Sequence, residues 1–397
     1  MLSLSMIVRD EAERIEACLR SVQGFVDEMV VVDTGSSDDT AAIAAGLGAV
    51  VHHIDWPGDF APARNQALQW VSGDWVLVLD ADEQLRPEVR EPLRQLMAQP
   101  ELLLINLLRQ ELGARQSPYS NVSRLFRRHP AIRWSRAYHS LVDDSVADVL
   151  QREPQWRIAD CPEPALLHDG YRPELLAAGR KGERLRSAME AELAERPNDP
   201  YACAKLGSLE VAEGRHERGM ELLQRGLQHC PPAAHAERYE LLLHLAMAQA
   251  PHDPAGAIRL YRQALVTPLA ARLTLAARLN LAALLLHQNQ LEAAEQLCRQ
   301  ATTVAPEVGL GWYNLGLIQR RQGDLASAIA AYRQAGDLCP DHAETQQNLA
   351  VALLLGGDID GARSGFRQAI TLLQQQGRGD EAEQLRQQAG QLVKLEA

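Results

Sequence analysis

The residues best placed to do chemistry in this 397-residue chain are carboxylates that directly follow apolar, β-forming runs. Asp33 ends Val30-Val31-Val32 and opens Asp33-Thr34-Gly35-Ser36-Ser37-Asp38, and Asp80-Ala81-Asp82 follows Val76-Leu77-Val78-Leu79. A carboxylate only accepts hydrogen bonds, so Asp33 suits the N3–H of a uracil ring or a ribose hydroxyl. It suits equally the capping of the turn that Gly35 permits, with Ser37 or Asp38 capping the helix beyond. The Asp80–Asp82 spacing brings two carboxylates to one rim of a sheet, where their oxygens can hold a hard divalent cation bridging two phosphates. Arg64, in Phe60-Ala61-Pro62-Ala63-Arg64-Asn65, can meet a phosphate in two-pronged geometry, or it is a surface helix arginine. Metal and cationic side chains together would neutralise charge on a leaving diphosphate.

These residues need a frame that gathers them. Leu2–Val8, Met29–Val32, Val50–Ile54 and Trp75–Leu79 are continuous apolar runs, separated by helix-like stretches near residues 11–22, 39–47 and 63–71. Apolar runs without alternation, linked by amphipathic helices, indicate a parallel sheet covered on both faces. Ligands of such sheets bind beyond the carboxyl ends of the strands, where Arg9-Asp10-Glu11, Asp33 and Asp80–Glu83 stand.

From about Asn198 strand signals vanish and a repeat takes over. Leu281, Leu315 and Leu349 step by 34 residues, as do Ala294, Ala328 and Ala362, and Ala301, Ala335 and Ala369. Small residues at fixed positions let paired helices approach closely, and Pro306 and Pro340 close two units. The pattern resembles the tetratricopeptide repeat, clearest in Trp312, Leu315, Gly316, Ala328, Tyr332, Ala335 and Pro340. Two weaker units precede, around Leu206–Pro231 and Leu245–Ala264, giving about five, with a polar capping helix from about Gly379. The expected division is a catalytic domain over 1–172, a linking helix over 173–197 and the repeats over 198–397.

Composition excludes several classes. The formal net charge is -12 with no Lys/Arg block, which argues against nucleic acid as a partner. Six scattered cysteines form no CxxC pair and read as buried reduced thiols. No apolar stretch reaches the roughly 18 residues that span a bilayer. The opening run reads as a strand rather than a signal peptide, so the cytoplasm is the expected location.

The first hundred residues resemble the family 2, GT-A-fold inverting glycosyltransferases. The resemblance rests on Ser5-Met6-Ile7-Val8-Arg9-Asp10-Glu11, Val31-Val32-Asp33-Thr34-Gly35-Ser36-Ser37-Asp38, Ala63-Arg64-Asn65-Gln66-Ala67 and Leu79-Asp80-Ala81-Asp82-Glu83, in the family's order. It implies that Asp33 contacts the base, Asp80 the ribose or metal, and Asp82 the metal, with Arg9, Asp10 and Glu11 lining the nucleotide pocket. Ser123–Arg128 and Leu167-His168-Asp169-Gly170-Tyr171 resemble later segments of the subgroup that carries tetratricopeptide repeats and includes bacterial peptide glycosyltransferases. The resemblance implies His168 near the metal or diphosphate, and an imidazole there favours Mn2+ over Mg2+.

The chain departs from the pattern at one point. Ser140 follows His139 where the family offers a glutamate, so the base that takes the acceptor's proton is Asp143, Asp144 or His139 itself. A thiol acceptor would need less help, because a thiolate is already a capable nucleophile. Tetratricopeptide arrays form grooves suited to extended peptides, so a peptide or protein acceptor is expected beside a UDP-sugar donor. A glycan or lipid acceptor, and repeats that serve a homodimer or a larger assembly, stay open at this point.

Overall fold

The computed structural model describes residues 1–114, 118–136, 140–169 and 180–395. Its contacts divide it into two compact units, Met1–Arg215 and His216–Ala397.

The first unit is built on an eight-stranded sheet. In chain order the strands are β1 (Leu2–Val8), β2 (Glu28–Asp33), β3 (Val50–His53), β4 (Trp75–Val78), β5 (Glu83–Leu85), β6 (Leu102–Glu111), β7 (Tyr119–Arg127) and β8 (Arg157–His168). Their order across the sheet is β3-β2-β1-β4-β7-β6-β8-β5. The four strands expected from apolar runs are mutually parallel, joined by α1 (Ile15–Val22), α2 (Thr40–Gly46) and α3 (Phe60–Ala67), and α4 (Arg90–Met97) precedes β6. Beyond β4 the sheet becomes mixed, because β7 joins antiparallel to both β4 and β6 while β8 runs parallel to β6. The strand pattern of the first 110 residues therefore describes only the parallel half.

Two apolar clusters cover the two faces. Leu4, Met6 and Leu77 pack with Ile15, Leu19 and Val22 of α1 on one side. Val30, Val32, Val76 and Phe126 pack on the other with Ala61 and Ala67 of α3, with Trp134, and with Val146 and Val149 of α5 (Asp143–Arg152). Small residues on α3 let that helix lie close to the strands, which is what carries Arg64 into the interior. The unit continues into α6 (Arg180–Glu195) and α7 (Pro200–Ala212), the latter capped by Asp199, whose side chain accepts from Ala202 N at 2.8 Å.

The second unit is helical throughout its described residues. After His216–His229, the helices His235–Gln249, Pro254–Leu265, Leu275–His287, Leu291–Val304, Gly309–Gln322, Leu325–Leu338, Ala343–Leu355 and Ile359–Gln375 each pack against the next in chain order, followed by Gly379–Gly390. The repeated small residues sit at the contacts. Ala294, Ala328, Ala335, Ala362 and Ala369 are all buried, and a methyl added at Gly316 would stand 2.7 Å from the ring of Tyr332. No helix among the described residues is long and apolar enough to cross a membrane.

Candidate functional site

The polar residues of the first unit collect where β1, β2 and β4 end. Asp33 closes β2 in register with Val8. Its Oδ1 accepts from the amides of Gly35 and Ser36 at 3.1 and 2.8 Å and from Ser36 Oγ at 2.7 Å, while Oδ2 lies 3.3 Å from His53 Nδ1. Gly35, at φ +103°, makes the tight turn. Asp33 thus caps the turn with one oxygen and keeps the other at the end of the neighbouring strand β3.

The loop after β1 is stitched to this turn. Asp10 adopts a left-handed backbone at φ 53°, and its Oδ1 accepts from Ser37 N at 2.7 Å. Glu11 N donates to Thr40 Oγ1 at 2.8 Å, and the Glu11 carboxylate pairs with Arg14 at 2.6 Å. Of the three residues expected to line the pocket, Asp10 and Glu11 spend their contacts on holding the loop. Arg9 remains mostly exposed, 3.9 Å from Asp10.

Asp80 lies between two guanidinium groups. Arg64 Nη2 donates to Oδ1 at 2.6 Å and Arg124 Nη2 to Oδ2 at 2.8 Å. Both arginines also lie over the Trp134 indole, 4.8 and 5.7 Å from its centroid. Asn65 fixes that indole by donating to Trp134 O at 2.9 Å and accepting from Trp134 N at 2.7 Å. Arg64 and Asn65, consecutive on α3, thus supply one guanidinium of the Asp80 clamp and the bonds that hold the Trp134 backbone beneath it. Burial opposes charge on Asp80, but the two guanidinium groups hold its carboxyl far below the usual range. Arg64 is buried rather than a surface helix residue.

Asp82 faces the other way. The turn at Ala81-Asp82 turns it from Arg64 toward β8, where His168 Nε2 stands 3.3 Å and Arg14 Nη1 3.8 Å from Oδ2. The Asp80-Ala81-Asp82 spacing therefore divides its two carboxylates between two clusters. The other imidazole nitrogen, Nδ1, bonds Glu111 Oε2. Burial alone would lower the His168 pKa, but its bonds to Asp82 and Glu111 raise it to about 9. Arg109 closes the group, donating to Glu83 Oε1 at 2.7 Å and to Glu111 Oε1 at 2.9 Å.

No three described histidines, cysteines or acidic groups converge as a complete metal cage. The donor set nonetheless fits a divalent cation that keeps water and substrate phosphate in its remaining positions, since Asp82 of the turn before β5 and His168 Nε2 at the end of β8 stand 3.3 Å apart.

The base candidates separate clearly. Asp143 begins α5 with an exposed side chain, and Ser123 Oγ donates to its Oδ1 at 2.8 Å. Desolvation by the surrounding chain pushes its carboxyl above the ordinary value. Asp144 also feels desolvation, but hydrogen bonds from Arg136 and Ser135 outweigh it and lower its pKa. Arg136 lies 3.3 Å from Asp144, 3.1 Å from Glu192 of α6 and 3.1 Å from Asp199 before α7. His139, Gly170 and Tyr171 fall outside the described residues.

Arg124, Arg109, Glu111 and Trp134 belong to this assembly without having been singled out as site residues in the sequence. One signal was present: Arg109 and Glu111 are two apart at the end of an apolar run, a spacing that puts both on one face of a strand. Arg124 and Trp134 lie in or just after the Ser123–Arg128 segment that carries part of the resemblance, but nothing in that segment says that Arg124 meets Asp80 and lies over Trp134.

Comparison with known proteins agrees with the two-part architecture. Residues 3–149 match the family described as Glycosyl transferase family 2, and residues 248–308 and 309–342 match Tetratricopeptide repeat families. The chain is 47% identical over 306 residues to a TPR repeat-containing protein of Synechococcus elongatus, spanning 77% of this chain and 76% of that one. It is 39% identical over 97 residues to an uncharacterized glycosyltransferase of Rickettsia felis, 24% of this chain and 34% of that protein. It is 24% identical over 203 residues to the SPbeta prophage-derived glycosyltransferase SunS of Bacillus subtilis, 50% of this chain and 46% of that protein.

Proposed function

The chain belongs to the family 2 glycosyltransferases that continue into tetratricopeptide repeats, and on that premise we propose that it moves a sugar from a UDP-sugar, with inversion and cation assistance, to a peptide or protein acceptor held by the repeats. Sugar transfer follows from the family; the donor, the stereochemistry, the cation and the acceptor are our reading of the site.

Asp33 receives the base, with its Oδ2 turned to the end of β3. Arg64 and Arg124, held by Asp80 over Trp134, present positive charge beside the diphosphate. Preorganised charge of this kind stabilises a leaving group without reorganisation at the moment of reaction. Asp82 and His168 would hold a divalent cation, which when bound would neutralise charge on the departing diphosphate; a nitrogen ligand would favour Mn2+ over Mg2+.

Asp143 is the base. It takes the proton from the acceptor's hydroxyl or thiol as that atom attacks the anomeric carbon opposite the diphosphate. The bond from the anomeric carbon to the diphosphate oxygen breaks, and its electron pair leaves with UDP. A carboxyl raised by desolvation accepts a proton more readily than Asp144, which Arg136 and Ser135 engage. The groove of a repeat array accommodates an extended chain, which supports a peptide or protein acceptor over a small one.

The observation that carries this reading is Asp80 clamped by two arginines beside the Asp82–His168 pair. Calorimetric titration with UDP, with and without Mn2+, tests it on wild type and Asp82→Asn. Mn2+-dependent binding that disappears in the variant is the expected result. Equal binding by both proteins removes Asp82 from the cation site, and no UDP binding by wild type removes the donor assignment.

A further inference from the structure

Behind the Asp82–His168 pair the sheet buries acidic groups that the reaction itself does not use. Antiparallel pairing sets Glu83 of β5 against His168 of β8, and parallel pairing sets Glu111 of β6 against the same His168. Three strands thus place Glu83, His168 and Glu111 abreast. Arg109, two residues before Glu111 and on the same face, bonds both Glu83 and Glu111. Glu83 Oε2 accepts from the backbone amide of Asp80 at 2.9 Å, so a hydrogen-bonded chain runs from Asp82 through His168, Glu111, Arg109 and Glu83 back to Asp80.

Glu83 and Glu111 are buried at 0% and 5% exposure, which costs several kcal/mol per ion unless partners compensate. Arg109 serves both carboxylates at once. Counting the groups in ion-pair contact here, Glu11, Asp82, Glu83 and Glu111 face Arg14, Arg109 and His168. A ligand histidine also needs its second nitrogen occupied, because that bond selects the tautomer and fixes the ring.

We infer that Glu111 is a positioning residue for the cation site: by accepting from His168 Nδ1–H it holds the imidazole in the tautomer and orientation that present the Nε2 lone pair beside Asp82, with Arg109 and Glu83 holding Glu111 in turn. The inference rests on the cation reading proposed above for Asp82 and His168. Glu111 touches neither donor nor acceptor in this account and acts through the ring alone.

Mn2+ alone, titrated into the full chain and followed by electron paramagnetic resonance, tests it on wild type, Asp82→Asn and Glu111→Gln. Nitrogen-15 histidine spectra of the metal-free proteins, followed with rising pH to the plateau at which the His168 signal stops moving, report the tautomer, with His168→Asn assigning the resonance. The expected result is Mn2+ binding weakened about 10–100-fold in Glu111→Gln, with the single Nδ1–H tautomer of wild type replaced by a mixture. Unchanged Mn2+ affinity and an unchanged tautomer in Glu111→Gln overturn the inference while leaving the cation site standing. Wild type that binds no Mn2+, or binds it as well after Asp82→Asn, overturns the cation reading and the inference with it. If Glu111→Gln fails to fold, Glu111→Asp keeps the charge but draws it back by one methylene. The same tautomer and affinity readings then decide.

Discussion

Ser123 and Arg124 are consecutive on β7, yet each holds a different carboxylate of the site: Ser123 Oγ donates to Asp143 and Arg124 Nη2 to Asp80, both at 2.8 Å. Successive strand residues normally point to opposite faces. Here the pairing of β6 with β7 slips between Ile105 and Leu107, opposing one residue of β6, Asn106, with two of β7, Ser123 and Arg124. The extra residue of such a bulge re-aims side chains, which is how one strand serves both the donor side and the acceptor side.

Arg124 should be hard to replace. Arg124→Gln removes one of two guanidinium groups from Asp80 and leaves a partly uncompensated carboxylate among buried groups. Hydrogen bonds to charged groups contribute about 1.5–3 kcal/mol, so a loss of that size is expected in urea unfolding. Asp80 should also titrate closer to its ordinary range. UDP affinity should fall by roughly tenfold or more, since about 1.4 kcal/mol is a factor of ten. A variant with wild-type stability and UDP binding would show that Arg64 alone fixes Asp80.

Asp143→Asn should lower kcat about 10²–10⁴-fold with little change in donor KM, the range typical for loss of a general base. In wild type the rate should fall as pH drops through the Asp143 pKa, because the base must be ionised. Desolvation by the surrounding groups raises that pKa although the side chain keeps exposed surface, so this acid limb lies above where a free aspartate would place it. Asp144→Asn should act chiefly on stability, because Asp144 is bonded to Ser135 and Arg136. A pH profile with no acid limb, or an Asp143→Asn variant at full rate, removes Asp143 from the mechanism.

His168 gives the metal-free protein a pH signature. Its pKa of about 9 stands above the unfolded value near 6.5, so protonation favours the folded state. That contribution is complete below pH 6.5 and disappears as pH rises through 9. By linkage it amounts to at most about 3 kcal/mol. Metal-free wild type should therefore lose stability relative to His168→Asn between pH 6.5 and 9 in denaturant titrations. A constant difference across that window would show that His168 does not gain its proton's worth of stability from Asp82 and Glu111.

Much of the donor side was legible because it is local in the chain. A buried parallel strand writes itself as an apolar run, and the polar residue that ends it stands out, so Val30–Asp33 and Val76–Asp82 disclose both the element and its candidate site residues. What stayed hidden depends on partners distant in sequence. Asp80 and Asp82 look like one pair until the turn at Ala81 sends them to Arg64 and His168 separately. Arg124 and Glu111 lie on strands whose register follows from pairing with β4, β6 and β8, and no window of residues contains that information. The helical half was readable for the opposite reason. A 34-residue period repeats one local packing problem, and Gly316 against Tyr332 is one instance of its solution.

That contact makes a stability prediction. Gly316→Ala places a methyl 2.7 Å from the ring carbons of Tyr332, a side chain with no exposed surface. Overpacking of this kind costs typically 1–3 kcal/mol, offset in part by the roughly 0.5–1 kcal/mol that alanine gains over glycine in a helix. A net loss of about 1 kcal/mol or more is expected on unfolding of the repeats. A more stable variant would mean that the helices Gly309–Gln322 and Leu325–Leu338 separate freely.

Where the chain is cut should decide whether the donor half survives alone. The compact first unit runs to Arg215, beyond the residue 197 boundary expected for the linking helix. Arg136 accounts for part of that extension, since it pairs with Asp144 beside the proposed base and also with Glu192 and Asp199. A fragment of residues 1–215 keeps all three pairs and should bind UDP with Mn2+ as the full chain does. A fragment of residues 1–196 loses Asp199 and should melt several degrees lower, as about 1–2 kcal/mol implies for a domain of this size. Both fragments should retain donor hydrolysis to the extent that they fold, and both should lose transfer to a macromolecular acceptor. Transfer by residues 1–215 at the full-length rate would separate the repeats from acceptor binding and leave them a role in assembly.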